Sequence, residues 1–226
     1  MAIGERFETD LRIALEEGDI DAHYQPVVTL HDGALAGFEI LSRWYRPGHG
    51  MIPPERFVRS AEDAGLICTL TENVLRRACL DAECWPEHAF ISLNVSPLQL
   101  RDGSLSDQIF SLLEEAAFPP ARLEIEITET ALVTDLPAAR EVLGQLGEAG
   151  IRIALDDFGT GYSSLFHLQA LNFDKVKIDR SFIRAMESGN DAMNMVDFTL
   201  SLGERLGLVV TAEGIENREA AALLSA

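Results

Sequence analysis

Asp156 and Asp157 stand side by side where the apolar run Ile153-Ala154-Leu155 gives way to Phe158-Gly159-Thr160-Gly161. Read alone, the pair fits a solvated turn. It also fits a site where one carboxylate bridges two cations and its neighbour holds only one. Other short apolar runs end in the same way. Glu39, Asn94, Glu126 with Glu129, Lys177 with Asp179, and Glu213 with Glu216 each close a β-like stretch. Glu124, Glu126 and Thr128 alternate with Ile125 and Ile127 and so share one face of their strand. A buried carboxylate without a partner is costly, so convergent acids need cations. The set offers oxygen donors and one lysine, with no His or Cys, which selects hard ions such as Mg²⁺ or Mn²⁺ over zinc. The five histidines show no metal-ligand spacing. Ser163 and Ser164 have no His partner in a nucleophile motif and read as helix caps. Gly159-Thr160-Gly161 lacks the Lys-Ser/Thr ending of a P-loop.

Such residues can act together only if the strand ends converge. The spacing predicts an amphipathic helix over 5–17, with Phe7, Leu11, Ala14 and Leu15 on one side. Strands follow at 23–30 and 34–44, joined by His31-Asp32-Gly33 as an antiparallel hairpin. Residues 45–52 read as a loop. Helices are expected at 53–65 and 69–84, then strand 89–95, helix 104–117, strand 122–128, helix 136–149 and strand 151–156. A helix at 162–170, strand 173–178, helix 191–206, strand 208–212 and a helix from Asn217 complete the chain. Alternating β and α units imply a parallel sheet, and this many imply a TIM-like (β/α) barrel whose first strand is antiparallel. In such barrels chemistry sits at the C-terminal ends of the strands, where the polar residues above fall.

The 226 residues contain 18 Lys and Arg against 37 acids, a net charge of −19. That field repels polyanions, which argues against polymeric nucleic acid and anionic membrane as partners. A phosphate substrate therefore needs local cations to enter. No apolar run is long enough to insert into a membrane, and no signal peptide is apparent. Cys68, Cys79 and Cys84 lack CxxC spacing and read as reduced thiols of a cytoplasmic protein.

In family order and spacing, the chain carries Tyr24-Gln25-Pro26, Glu39-Ile40-Leu41-Ser42-Arg43, Asn94-Val95-Ser96-Pro97 and Glu124-Ile125-Glu126-Ile127-Thr128-Glu129. Asp156-Asp157-Phe158-Gly159-Thr160-Gly161-Tyr162, Lys177-Ile178-Asp179-Arg180-Ser181-Phe182 and Ala212-Glu213-Gly214-Ile215-Glu216-Asn217 follow. With these motifs the sequence resembles the EAL-domain family of cyclic di-GMP phosphodiesterases. The signature's middle Ala is Ile40 here; strand alternation turns it away from Glu39, so a packing change is expected rather than a lost ligand.

The resemblance implies hydrolysis of cyclic di-GMP to linear 5'-pGpG with two Mg²⁺ or Mn²⁺ ions. It assigns Glu39, Asn94, Glu126 and Asp156 to one ion, with Asp156 and Asp157 on the second. Lys177 and Glu213, with Glu39, form the catalytic group: Lys177 and Glu213 orient the water layer, and Lys177 accepts or guides the nucleophile's proton. Gln25, Leu41, Arg43 and Asp179 are implied substrate contacts. Glu129, Phe158, Gly159, Thr160, Gly161 and Glu216 are implied supports of the loop that links the metal site to a homodimer interface. Residues 1–18 are expected to connect to an upstream sensory or GGDEF-type domain, with 19–226 as the phosphodiesterase domain. Seven barrel strands are legible, and the eighth is expected to lie outside this sequence. The alternative reading is a non-catalytic cyclic di-GMP receptor. Receptors of this family tend to lose acids from the metal set, whereas Glu39, Asn94, Glu126, Asp156, Asp157, Lys177 and Glu213 are all present.

Overall fold

A computed structural model describes residues 3–46, 48–160, 168, 171–186 and 190–224. Its first sheet element is the hairpin of β1 (Ile20–Val28) and β2 (Leu35–Arg46), paired antiparallel with Gln25 opposite Glu39. Asp32 ties the connection by accepting hydrogen bonds from the Thr29 hydroxyl and the Ala34 amide, and Gly33 supplies the positive φ that the turn needs. The loop expected over 45–52 contains a short strand, β3 (Gly50–Ile52), paired antiparallel with the end of β2. Three residues are too few for alternation to show in a sequence.

Beyond the hairpin the sheet is parallel, as the βα alternation requires. β4 (Phe90–Asn94), β5 (Leu123–Thr128), β6 (Arg152–Phe158), β7 (Lys175–Ile178) and β8 (Val209–Ala212) extend it in the order β1-β2-β4-β5-β6-β7-β8. Among the described residues this path ends at β1 and β8, so the sheet curls as an open barrel. The helices α2 (Pro54–Asp63), α3 (Ile67–Asp81), α5 (Leu105–Glu115), α7 (Leu136–Glu148) and α9 (Asn190–Leu206) match expected segments. So does α10 (Arg218–Leu224), whose first turn is held by the Asn217 side chain on the Ala220 amide. Three short helices, α4 (Pro97–Asp102), α6 (Glu129–Thr134) and α8 (Arg180–Met186), follow directly on strands and were not foreseen. α4 carried a readable signal: Ser96 and Gln99 form a capping box around Pro97. Apart from the buried, helical Leu168, the helix expected over 162–170, with the caps Ser163 and Ser164, lies outside the described residues. No described helix is long and apolar enough to cross a membrane.

The strands present apolar residues to the helices: Ile91, Leu93, Ile125, Ile127, Ile153 and Leu155 are buried in one continuous cluster. Ile40 belongs to it, facing away from Glu39 as alternation requires. α1 (Ile3–Glu17) docks on the same core through Phe7, Leu11, Ala14 and Leu15. Phe7 tilts against Trp44 at 5.4 Å between ring centroids, and the Arg56 guanidinium lies over the Phe7 ring at 4.4 Å. Leu11 is 0% exposed. Leu11→Ala is therefore expected to cost about 2–5 kcal/mol, the range for a buried Leu truncation. Urea unfolding measures this, and an unchanged midpoint would show that α1 rests on the core without stabilising it.

Candidate active site

The strand ends deliver four carboxylates to one nitrogen. Lys177 Nζ, on β7, lies 2.7 Å from Glu126 Oε2 on β5 and 2.6 Å from Glu213 Oε1, just after β8. Glu39 Oε2 on β2 and Asp156 Oδ1 on β6 each stand 3.4 Å away. Asn94, the last residue of β4, donates Nδ2 to Glu39 Oε1 at 2.8 Å. Parallel register makes the convergence: Glu39 pairs with Ser92, Asn94 with Glu126, Thr128 with Asp156, and Lys177 with Thr211. All six residues are thus brought together as the sequence predicts.

The centre is buried, with Glu126 2% and Lys177 3% exposed. Burial raises the Glu126 carboxyl to about 8, Glu39 and Asp156 add to the rise, and Lys177 opposes it. Burial alone would lower Lys177, but Glu126, Asp156, Glu39 and Glu213 outweigh it and hold the ammonium well above its ordinary value. Glu213 is also raised, by burial first and then by Asp156 and Glu39 against the pull of Lys177. One ammonium cannot neutralise four carboxylates, and the raised Glu126 carboxyl expresses the surplus of negative charge. A hard divalent cation would relieve it, since the set offers oxygen donors, is buried at Glu126 and Asp156, and is short of positive charge. Among the described residues no three His, Cys, Asp or Glu side chains already form a metal cage. The acids close on the ammonium instead, so cation binding would require them to divide between the ion and Lys177.

Strict alternation keeps two neighbouring Asp from facing one way, and the chain breaks that rule here. β6 and β7 shift register between Leu155 and Phe158, and Asp157 adopts φ +55°. The bulge brings the Asp157 carboxyl to Asp156 and Asp179. It is raised by burial first and then by those two charges. Asp156 Oδ1 accepts the Asp157 amide at 2.9 Å, which fixes the first carboxylate.

Behind the pair, Glu129 Oε1 accepts the Gly159 amide at 2.9 Å. Thr160 closes the turn by donating its hydroxyl to the Asp157 carbonyl at 2.8 Å. Gly159 has φ +93°, and a Cβ there would collide with Met195 on α9 and crowd Phe182 on α8. Phe158 is a buried core residue of β6, and Gly161 lies outside the described residues. Glu216 pairs with Arg184 at the surface, 2.5 Å apart. Asp179 caps α8, accepting the Ser181 amide at 3.0 Å and the Ser181 hydroxyl. Those bonds hold its carboxyl below the usual value although burial pushes it up.

A cavity of about 1270 Å³ opens beside the centre, between β1 and β8, with Gln25, Glu39, Lys177 and Glu213 in its wall. Leu41 and Arg43 lie farther along β2, opposite His23 and Asp21, and Arg43 donates to the Ser42 carbonyl. The strand-end rule passes over Ser92 and Lys175, which lie one step beneath Asn94 and Lys177. The signal for them is a repeated spacing: Ser92/Asn94, Glu124/Glu126 and Lys175/Lys177 each place two polar residues on one strand face.

A family model described as EAL domain matches residues 8–226. Two similar proteins come from Pseudomonas aeruginosa. The cyclic di-GMP phosphodiesterase NbdA is 37% identical over 97% of this chain and 28% of its own length. The bifunctional diguanylate cyclase/cyclic di-GMP phosphodiesterase MucR is 40% identical over 92% of this chain and 31% of its own. The chain spans 26–31% of the first curated relatives it matches. A solved structure described as the PaMucR phosphodiesterase in complex with c-di-GMP superposes with TM-score 0.91 at 37% identity. It covers 97% of this chain and 91% of that one.

Proposed function

The chain belongs to the EAL domain family, a TIM-like barrel fold, and from that premise we propose that it is a metal-dependent cyclic di-GMP phosphodiesterase releasing linear 5'-pGpG. The observation that carries the reading is the ring of Glu39, Asn94, Glu126, Asp156 and Glu213 around Lys177 at the strand ends. Glu39, Asn94, Glu126 and Asp156 would hold one Mg²⁺ or Mn²⁺, and Asp156 with Asp157 a second. Bound there, two such ions lower the pKa of water and stabilise charge on the attacking and leaving oxygens.

The protein's own groups do the rest. Asn94 holds the Glu39 carboxylate in place through its amide. Lys177, held between Glu126 and Glu213, would accept or guide the nucleophile's proton. Glu213 fixes that ammonium from the β8 side and orients the water layer. Gln25 stands opposite Glu39 in the cavity wall, placed to contact the substrate, with Leu41, Arg43 and Asp179 as further contacts. Glu129 braces the turn after Asp157, and the segment behind it would carry the signal of a homodimer. We read 19–226 as the phosphodiesterase domain of a cytoplasmic protein. Residues 1–18 would lead from an upstream sensory or GGDEF-type domain while docking on the core.

The rival reading, a receptor that only binds cyclic di-GMP, does not require a complete acid ring with its lysine. Incubating the chain with cyclic di-GMP and Mg²⁺, then separating the products by chromatography, distinguishes the two. Linear 5'-pGpG is expected, and EDTA should stop its formation. Tight binding with no linear dinucleotide would establish the receptor instead.

A further inference from the structure

A second polar layer lies one step below the acid ring. Lys175 Nζ contacts Glu124 Oε1 at 2.6 Å, and its ammonium sits 4.2 Å from the centre of the Phe90 ring. Ser92 lies between Glu124 and Glu126: its hydroxyl is 3.3 Å from Glu124 Oε1 and closer still to Glu126 Oε1. Ser92, Glu124 and Lys175 are all buried, with Glu124 and Lys175 in the inner wall of the cavity. Glu124 Oε2 has no hydrogen-bond partner, which makes this carboxylate a competitor for any nearby donor.

A hydroxyl carries one proton and can satisfy only one of two acceptors. Lys175 already donates to Glu124 Oε1, and the closer contact assigns the Ser92 proton to Glu126 Oε1. With that oxygen engaged, Glu126 turns its other oxygen, Oε2, towards Lys177 and the centre. We propose that Ser92, backed by the Lys175–Glu124 pair, is the positioning residue that aims Glu126 and thereby sets the affinity of the centre for its cation. This rests on Glu126 being a cation ligand. Ser92, Glu124 and Lys175 need touch neither ion nor substrate to act, because they work through the orientation of one carboxylate.

Mn²⁺ titrated into the full chain without substrate, with free ion counted by electron paramagnetic resonance, tests the inference. Ser92→Ala should weaken binding by about 10–100-fold, the usual effect of removing a group that orients a ligand. Ser92→Thr, which restores the hydroxyl, should recover most of it. Lys175→Met should also weaken binding by letting Glu124 draw the hydroxyl away. The double variant Lys175→Met/Glu124→Gln, with no buried charge left unpaired, should recover affinity and keeps the test alive if Lys175→Met fails to fold. Wild-type affinity in Ser92→Ala would overturn the inference and leave the metal reading standing. A double variant that folds yet binds as weakly as Ser92→Ala would remove the pair from the account. A wild-type chain that takes up no Mn²⁺ would overturn this inference and the metal reading together.

Discussion

Replacing Lys177 with Met is expected to destabilise the metal-free protein by about 3–5 kcal/mol, the cost of removing one partner from a buried ion-pair network. For a chain of this size that corresponds to a melting point lower by about 6–20 °C. The reason is local. Lys177 is the ammonium that Glu39, Glu126, Asp156 and Glu213 share, and without it their charges face one another with little water between them. The loss should depend on pH, with a definite sign. Burial holds Glu126 above its ordinary 4.5, at about 8. The folded protein therefore binds more protons than the unfolded chain between those values, and stability falls as pH rises through the window. Removing Lys177 steepens that fall. Mg²⁺ should recover part of the stability by replacing the missing positive charge. Thermal melts at pH 5 and pH 8, with and without Mg²⁺, measure all of this. A variant that melts like the parent at pH 8 in EDTA would show that the lysine does not hold the ring.

Asp156→Asn is expected to abolish turnover, lowering the rate by more than about 100-fold, beyond the usual cost of losing a group that merely supports a ligand. Asn keeps the size and one oxygen but removes the charge, and the proposed bridging position needs a carboxylate between two ions. The fold should survive, because Asp156 Oδ1 receives the Asp157 amide and an Asn oxygen can accept that bond as well. Removing a carboxylate also lessens the crowding of charge around Lys177, so the metal-free variant should be at least as stable as the parent. Lost turnover in a stable protein would place the effect in the chemistry. An unchanged rate would remove Asp156 from the bridging role.

The sheet and its large helices were legible because apolar runs, turn residues and amphipathic stretches repeat in βα order. The polar ring was legible because barrel strands present their C-terminal ends to one face, so a reader who collects those ends collects the site. Three features were not. β3 and the short helices α4, α6 and α8 span too few residues for periodicity to speak. The backbone that brings Asp157 towards Asp156 was not legible, because the bulge after Leu155 and the left-handed conformation at Asp157 are tertiary outcomes. The role of Lys175 and Ser92 depends on register between neighbouring strands, which sets Ser92 against Glu124 and no single strand reveals.

Asp156 and its neighbours are proposed to hold two ions where the carboxylates now close on Lys177. Crystals grown with Mn²⁺ and cyclic di-GMP, with anomalous scattering recorded near the manganese edge, test it most directly. Two peaks should flank the Asp156 carboxylate, one reached also by Glu39, Asn94 and Glu126 and the other by Asp157. A map with the nucleotide bound, no manganese within reach of Asp156, and all four carboxylates still gathered on Lys177 would contradict it.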